Sequence, residues 1–207
     1  MKLAVFDYDS TLMDGETLEI LAREFNIENQ IREITTKAMN GELDFFESLT
    51  YRVSLLKGLS IEKVDEICRS LPLMNGAKQA VDRLHELGYK VVCFSGGFKN
   101  ATAHTKEVLG LDGEFANIFH TKDGYLTGKV GGCMMFNDSK GNMIQELQSI
   151  LGISAEDTLV VGDGANDLSM FKWAKYKVSF CGKEILKKAA NIIIEEKDLS
   201  LIPDKIS

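Results

Sequence analysis

Five short apolar runs punctuate the chain: LAVF at 3–6, VVCF at 91–94, LVV at 159–161, VSF at 178–180 and III at 192–194. They lack the apolar–polar alternation of a half-exposed strand, so they read as strands covered on both faces. Between them lie stretches with apolar residues three and four apart, AKQAVDRLHELG and GNMIQELQSILG among them. Each ends in a glycine suited to stop a helix. Strand and helix in turn imply an α/β fold, a Rossmann-like parallel sheet with right-handed crossovers.

One segment breaks that rhythm. From 13 to 73 the patterns are helical throughout: TLEILAREF, ENQIREITTKAM, FFESLTYRVSLL and IEKVDEICRSL. Some sixty residues without a strand exceed an ordinary crossover. The expectation is an α/β core at 1–12 and 74–207 and an inserted helical cap at 13–73, with Pro72 marking the return. The competing reading has these helices coat one face of the sheet.

Composition narrows the class. A chain of 207 residues with 44% apolar and 27% charged residues is an ordinary globular protein with one or two domains. A net charge of −7 argues against a nucleic-acid or anionic-membrane partner. No apolar stretch could span a bilayer and no signal peptide opens the chain, so a cytoplasmic protein is expected. Cys68, Cys93, Cys133 and Cys181 are too scattered for a metal cluster and read as reduced, packed thiols. His85, His104 and His120 lie away from the strand ends, as surface or helix residues, and Trp173 reads as helix packing or surface.

In open α/β sheets, ligands bind beyond the carboxyl ends of strands. Here LAVF leads into DYDST, VVCF into SGG and LVV into GDGAND. Asp7 and Asp9 side by side would repel, and burying them is costly without a cation. With Asp163 and Asp167 they form a hard oxygen set suited to Mg²⁺. A lone Asp-x-Asp is also a common solvated turn, and a lone Ser-Gly-Gly a common bend; three acidic or glycine-rich strand ends together weigh against both. Backbone amides at Ser95-Gly96-Gly97, at a helix start, can cradle an anion. Cation site, anion cradle and strand-tip aspartate point to phosphoryl transfer, one Asp as nucleophile and the other as acid/base.

These residues resemble the haloacid-dehalogenase-like phosphatases, whose four motifs are matched by DYDST, SGG, Lys140 and GDGAND. With AMNGELDFFESLTYRVSLLKGL, SGGF, DGYLTG and GDGANDLSMF, the resemblance extends over nearly the whole chain to the phosphoserine phosphatase family. It implies that Asp7 is the nucleophile and Asp9 the acid/base. Asp7, the Asp9 carbonyl and Asp163 would hold Mg²⁺, with Asp167 behind them. Ser95, Gly96, Lys140 and Asn166 would bind phosphoryl oxygens; from the residues alone, Lys122 or Lys129 would serve equally well. Glu16 would meet the substrate ammonium, Arg52 its carboxylate, and Met39 and Phe45 would close over it. Each has a plainer reading: Glu16 as an early-helix acid, Arg52 as a surface charge, Met39 and Phe45 as cap core. The family usually has Phe where Tyr8 stands, so a buried Tyr8 needs a partner for its hydroxyl.

The resulting expectation is Mg²⁺-dependent hydrolysis of O-phosphoserine, the last step of L-serine biosynthesis, by a monomer or homodimer whose cap opens and closes. The alternatives are another small phosphomonoester, such as phosphohomoserine or phosphoethanolamine, transfer to an alcohol, or a receiver-like module that is phosphorylated as a signal.

Overall fold

The computed structural model describes residues 1–39 and 42–206, with the backbone alone at 36, 38 and 39. Among these residues one sheet contains β1 (Lys2–Asp7), β2 (Tyr89–Phe98), β3 (Gly113–Lys122), β4 (Tyr125–Gly132), β5 (Thr158–Gly162), β6 (Tyr176–Phe180) and β7 (Ile192–Ile194). Their order is β4-β3-β2-β1-β5-β6-β7. All neighbours are parallel except β3 and β4. The order reverses beside β1, so the ends of β1, β2 and β5 frame the crevice where such sheets bind ligands.

Alternate residues of the central strands feed two apolar clusters. Ala4, Phe6, Val91, Cys93, Leu159 and Val161 face one side. Leu3, Val5, Val92, Phe94 and Val160 face the other. All are buried, and each large one contributes about 1.5–3 kcal/mol. The period-two alternation is thus present, with both faces apolar.

The hairpin β3–β4 was not expected from the apolar runs, and it adds an antiparallel edge to a sheet read as parallel. Its strands are largely half-exposed, which hides them from a search for unbroken apolar segments. A signal was present in Asp123-Gly124. These two residues join the strands with φ of 51° and 83°, the left-handed pair of a tight hairpin turn.

Residues 13–73 contribute α1 (Thr17–Glu24), α2 (Glu28–Met39), α3 (Phe45–Ser54) and α4 (Ile61–Arg69). The expected helices are present, and no strand interrupts them among the described residues. Asp44 caps α3 by accepting from the Glu47 amide at 2.8 Å, while Glu47 accepts from the Asp44 amide at 3.1 Å. This reciprocal pair satisfies donors that helix ends otherwise leave open. The Met74 amide donates to the Leu12 carbonyl and the Asp14 amide to the Pro72 carbonyl, both at 2.9 Å. The chain therefore enters and leaves the helical segment side by side.

The helices share one apolar cluster with the sheet: Leu49, Val53, Leu56, Val64 and Ile67 continue from Ala4 and Phe6. The hairpin reaches up to them, its Leu126 exchanging backbone bonds of 2.8 Å with Gly58 and Leu59. The core is completed by α5 (Ala77–Glu86), α6 (Lys99–Leu109), α7 (Ser139–Leu151), α8 (Leu168–Phe171) and α9 (Glu184–Lys187).

All four cysteines are free; Cys68 and Cys93 are buried, but Cys133 is exposed, against the expectation of packing. His120 lies exposed on β3, as a surface residue. Trp173 packs against the second cluster. No helix among the described residues is long and apolar enough to cross a membrane.

Candidate active site

The ends of β1 and β5 bring four charged side chains together. Asp7 closes β1 and is buried. Asp163 follows β5, and Asp167 ends the short helical turn Ala165–Asp167. Lys140 sits in the first turn of α7, 3% exposed. Its ammonium donates to Asp7 Oδ1 at 2.5 Å and to Asp167 Oδ1 at 2.6 Å. Of the three candidate lysines Lys140 is the one buried against Asp7, while Lys122 and Lys129 are exposed.

Asp167 is fully engaged. Its Oδ2 accepts from the Asp163 and Gly164 amides, both at 3.0 Å, while Oδ1 faces Lys140. It holds the acidic turn in shape and orients the lysine, so its place behind Asp7 and Asp163 suits a supporting role.

Carboxylate oxygens of Asp7, Asp163 and Asp167 lie within 4.8 Å of one another. One buried ammonium bonds Asp7 and Asp167, while Asp163 is drawn more strongly by the exposed Lys183 than by Lys140. Burial, followed by repulsion from Asp167, raises the Asp7 carboxyl well above the usual carboxylate range. The same two causes push Asp163 up to about 6. Burial would lower Lys140, but Asp167 and Asp7 outweigh it and hold the ammonium charged. Uncompensated negative charge in a buried all-oxygen pocket suits a divalent cation such as Mg²⁺.

Asp9 points elsewhere. Its Oδ1 accepts from the Thr17 amide at 2.7 Å and the Thr17 hydroxyl at 2.6 Å. The carboxylate thus satisfies an open amide at the start of α1, where the helix favours negative charge. Burial raises its pKa, and the two Thr17 bonds moderate the rise. Its other oxygen faces Gly97: a Cβ on Gly97 would come within 3.0 Å of both Asp9 Oδ2 and Ser95 Oγ. Only glycine leaves that corner open. Thr17 was not anticipated; a hydroxyl residue at the first position of a helix after DYDSTLMDGE was the available signal.

Ser95, Gly96 and Gly97 lie in an irregular part of β2. Phe94 pairs with Phe115 and Phe98 with Asn117, so four steps along β2 match two along β3. The expected turn after the strand is therefore a bulge within it, which aims backbone groups at the site. The Phe45 ring lies over Gly96, leaving no room there for a side chain. Asn166 is half-buried and folds back against Gly164.

The helical segment supplies an opposed pair of charges. Ser10 Oγ donates to Glu16 Oε1 at 2.8 Å. Surrounding protein, then repulsion from Asp9, pushes the Glu16 carboxyl up to about 7, although the residue keeps an open side. Arg52 is half-buried on α3, its Nε donating to the Ser48 carbonyl at 3.3 Å. Burial lowers its pKa, while attraction from Glu16 and Asp9 acts the other way. Both residues face the Asp9 side of the pocket. The Met39 side chain lies outside the described residues.

Tyr8 stands between the two aspartates yet points away from them. It is fully buried, and its hydroxyl shares a 3.1 Å hydrogen bond with Thr105 Oγ1, the partner that the sequence required.

The haloacid dehalogenase-like hydrolase family profile matches residues 1–175. A phosphoserine phosphatase of Wolinella succinogenes is 60% identical over 199 residues, covering 96% of this chain and 97% of its own. A solved phospho-aspartyl intermediate analogue of phosphoserine phosphatase superposes with a TM-score of 0.94 at 47% identity, over 100% of this chain and 99% of that one. A substrate-bound phosphoserine phosphatase complex gives 0.93, also at 47% identity, over 100% of this chain and 98% of that one. Fold, pocket and sequence agree that the chain belongs to the haloacid dehalogenase-like hydrolases, on the branch of the phosphoserine phosphatases.

Proposed function

We propose that this chain hydrolyses O-phosphoserine to serine and phosphate through a phosphoryl group carried on Asp7. The observation that carries the reading is the meeting of Asp7, Lys140, Asp163 and Asp167 beside the glycine-rich bulge, with Glu16 and Arg52 near enough to Asp9 to interact with its charge. The names of the chain's relatives point to the same substrate.

An Asp7 carboxylate oxygen attacks phosphorus, and the bond from phosphorus to the serine oxygen breaks. Asp9 gives its proton to that leaving oxygen; burial, which raises its pKa, favours the protonated start. Asp9 then takes a proton from water as the water oxygen attacks phosphorus and the bond to Asp7 breaks. Lys140 offsets phosphoryl charge from a fixed position, and Ser95 with the Gly96 amide holds the remaining oxygens. Mg²⁺ held by Asp7, the Asp9 carbonyl and Asp163 would mask repulsion between carboxylate and phosphate.

In this reading residues 13–73 form a cap that confers specificity. Arg52 can grip a carboxylate with two parallel donors, and Glu16 can receive an ammonium. Phe45 closes over the bulge. Release of free serine fits the last step of serine biosynthesis in the cytoplasm.

A panel of phosphomonoesters with and without Mg²⁺, run on the wild type and on Asp7→Asn, tests the proposal. Phosphoserine should be the preferred substrate, Mg²⁺ should be required, and Asp7→Asn should lose about 10⁴-fold or more in kcat. A variant with near-normal turnover would refute the covalent route.

A further inference from the structure

We infer that Asn117 is a positioning residue that sets the direction of the Ser95 hydroxyl through the Gly96–Gly97 peptide. The inference rests on the proposed role of Ser95 and Gly96 as holders of the phosphoryl group. Asn117 lies on β3, outside every motif of the sequence, and is fully buried. It pairs with Phe98, where the two extra residues of the β2 bulge rejoin the ladder.

A bulge leaves backbone groups without ladder partners, and a buried carbonyl without a partner is costly. Asn117 meets that need. Its Nδ2 donates to the Gly96 carbonyl and to the Met134 carbonyl, both at 3.0 Å. Its Oδ1 accepts from the Met134 amide at 2.9 Å. All the hydrogen-bonding capacity of the carboxamide except one lone pair is used. The space is cut to fit: on the partner strand, a Cβ on Gly132 would overlap Asn117.

The Gly96 carbonyl and the Gly97 amide belong to one peptide plane. Among the described residues no peptide bond is cis, so the two groups point in opposite directions. Fixing the carbonyl toward Asn117 therefore aims the amide the other way. There the Gly97 N–H donates to Ser95 Oγ at 2.9 Å. A serine hydroxyl that accepts on its oxygen keeps its single proton to give. Among the described residues no protein acceptor takes that proton, and Ser95 is fully buried. The chain Asn117 to Gly96–Gly97 to Ser95 thus leaves one donor directed for a phosphoryl oxygen. The bonds to Met134 tie the same carboxamide to the segment that leads into Lys140.

A double-mutant cycle of Asn117→Ala with Ser95→Ala tests the relay, read as kcat/KM on phosphoserine with Mg²⁺. Removing one preorganised donor costs about 10²-fold, and Ser95→Ala should approach that. Asn117→Ala alone should lose about 10-fold or more, but less than about 3-fold in the Ser95→Ala background, because residues acting through one another are non-additive. Inhibition by inorganic phosphate should weaken in Asn117→Ala, while inhibition by L-serine should not move. Equal losses in both backgrounds, or equal weakening of both inhibitors, would overturn the relay and leave Asn117 a structural strut. Should Asn117→Ala fail to fold, Asn117→Ser, which retains one hydroxyl donor at the same strand position, enters the same cycle. Full activity in Ser95→Ala would instead overturn the phosphoryl cradle, and the relay with it.

Discussion

The two sides of the pocket are held in different ways. On the sheet side, Asp7, Lys140 and Asp167 are almost wholly buried, and Lys140 bonds both carboxylates at 2.5–2.6 Å. On the helical side, Glu16 keeps an open face and Arg52 is only half-buried, with a 3.3 Å bond to its own helix. A step that moves charge needs fixed partners in a dry site. A surface that recognises a substrate must open to admit it. On the proposed function the contrast separates chemistry from selection, and substitutions on the two sides should fail differently.

The broadest effect, felt on every substrate, is expected on the sheet side. Asp163→Asn removes one of three clustered carboxylates and should raise the Mg²⁺ concentration needed for half-maximal activity by about 10- to 100-fold. The loss should be similar for every phosphomonoester tested. A Mg²⁺ titration on two substrates reads it directly, and an unchanged midpoint would remove Asp163 from the cation site.

Arg52→Ala should be selective. It should cost about 100-fold in kcat/KM on phosphoserine, within the range for losing a charge-assisted pair, and less than about 3-fold on phosphoethanolamine, which lacks a carboxylate. Equal losses on both would make Arg52 a structural residue of α3 and erase the contrast.

How legible each side was follows from the same physics. Asp7, Ser95 and Asp163 follow apolar runs, and strand ends are where a parallel sheet exposes its ligands, so they could be located without coordinates, although Ser95 proved to sit in a bulge inside β2. Lys140 could not: it starts a helix after an irregular segment, and only its bonds to Asp7 and Asp167 set it apart from Lys122 and Lys129. Thr17 is tied to Asp9 by two hydrogen bonds and Asn117 to Gly96 and Met134 by three, contacts that a search for apolar runs does not encode. The hairpin β3–β4 was hidden because its strands are short of unbroken apolar residues, although Asp123-Gly124 marked its turn. The helices of 13–73 were visible in their periodicity, whereas their merging with the core into one apolar cluster was not.

Tyr8→Phe asks whether lying between two catalytic candidates is enough to matter. The hydroxyl points at Thr105 and away from the site. Its removal should leave kcat within about 2-fold. Loss of one buried hydrogen bond, with Thr105 left unpaired, should cost about 1 kcal/mol of stability. Denaturant unfolding measures the second, and a large fall in kcat with unchanged stability would place the hydroxyl in the chemistry.

The smallest effect is expected at a carboxylate outside both sides of the pocket. Asp112 follows α6 and accepts from Lys90 Nζ at 2.7 Å and from the Val91 amide at 2.8 Å, and it pairs with His85 Nε2 at 3.0 Å. Burial alone would raise its pKa, but these partners outweigh it and hold the carboxyl below its ordinary value of 3.8. A depressed carboxyl stabilises the folded chain above the unfolded pKa, and the gain disappears as pH falls through the folded pKa. Asp112→Asn should therefore lower Tm by about 1–3 °C at neutral pH. The gap should narrow as pH falls from the ordinary carboxylate range through the depressed folded-state pKa, and close below it, where Asp112 is neutral in both states. Thermal scans of both proteins across pH measure it. A gap that stays constant into acid would mean that shape at 112, and not charge, supports the fold there.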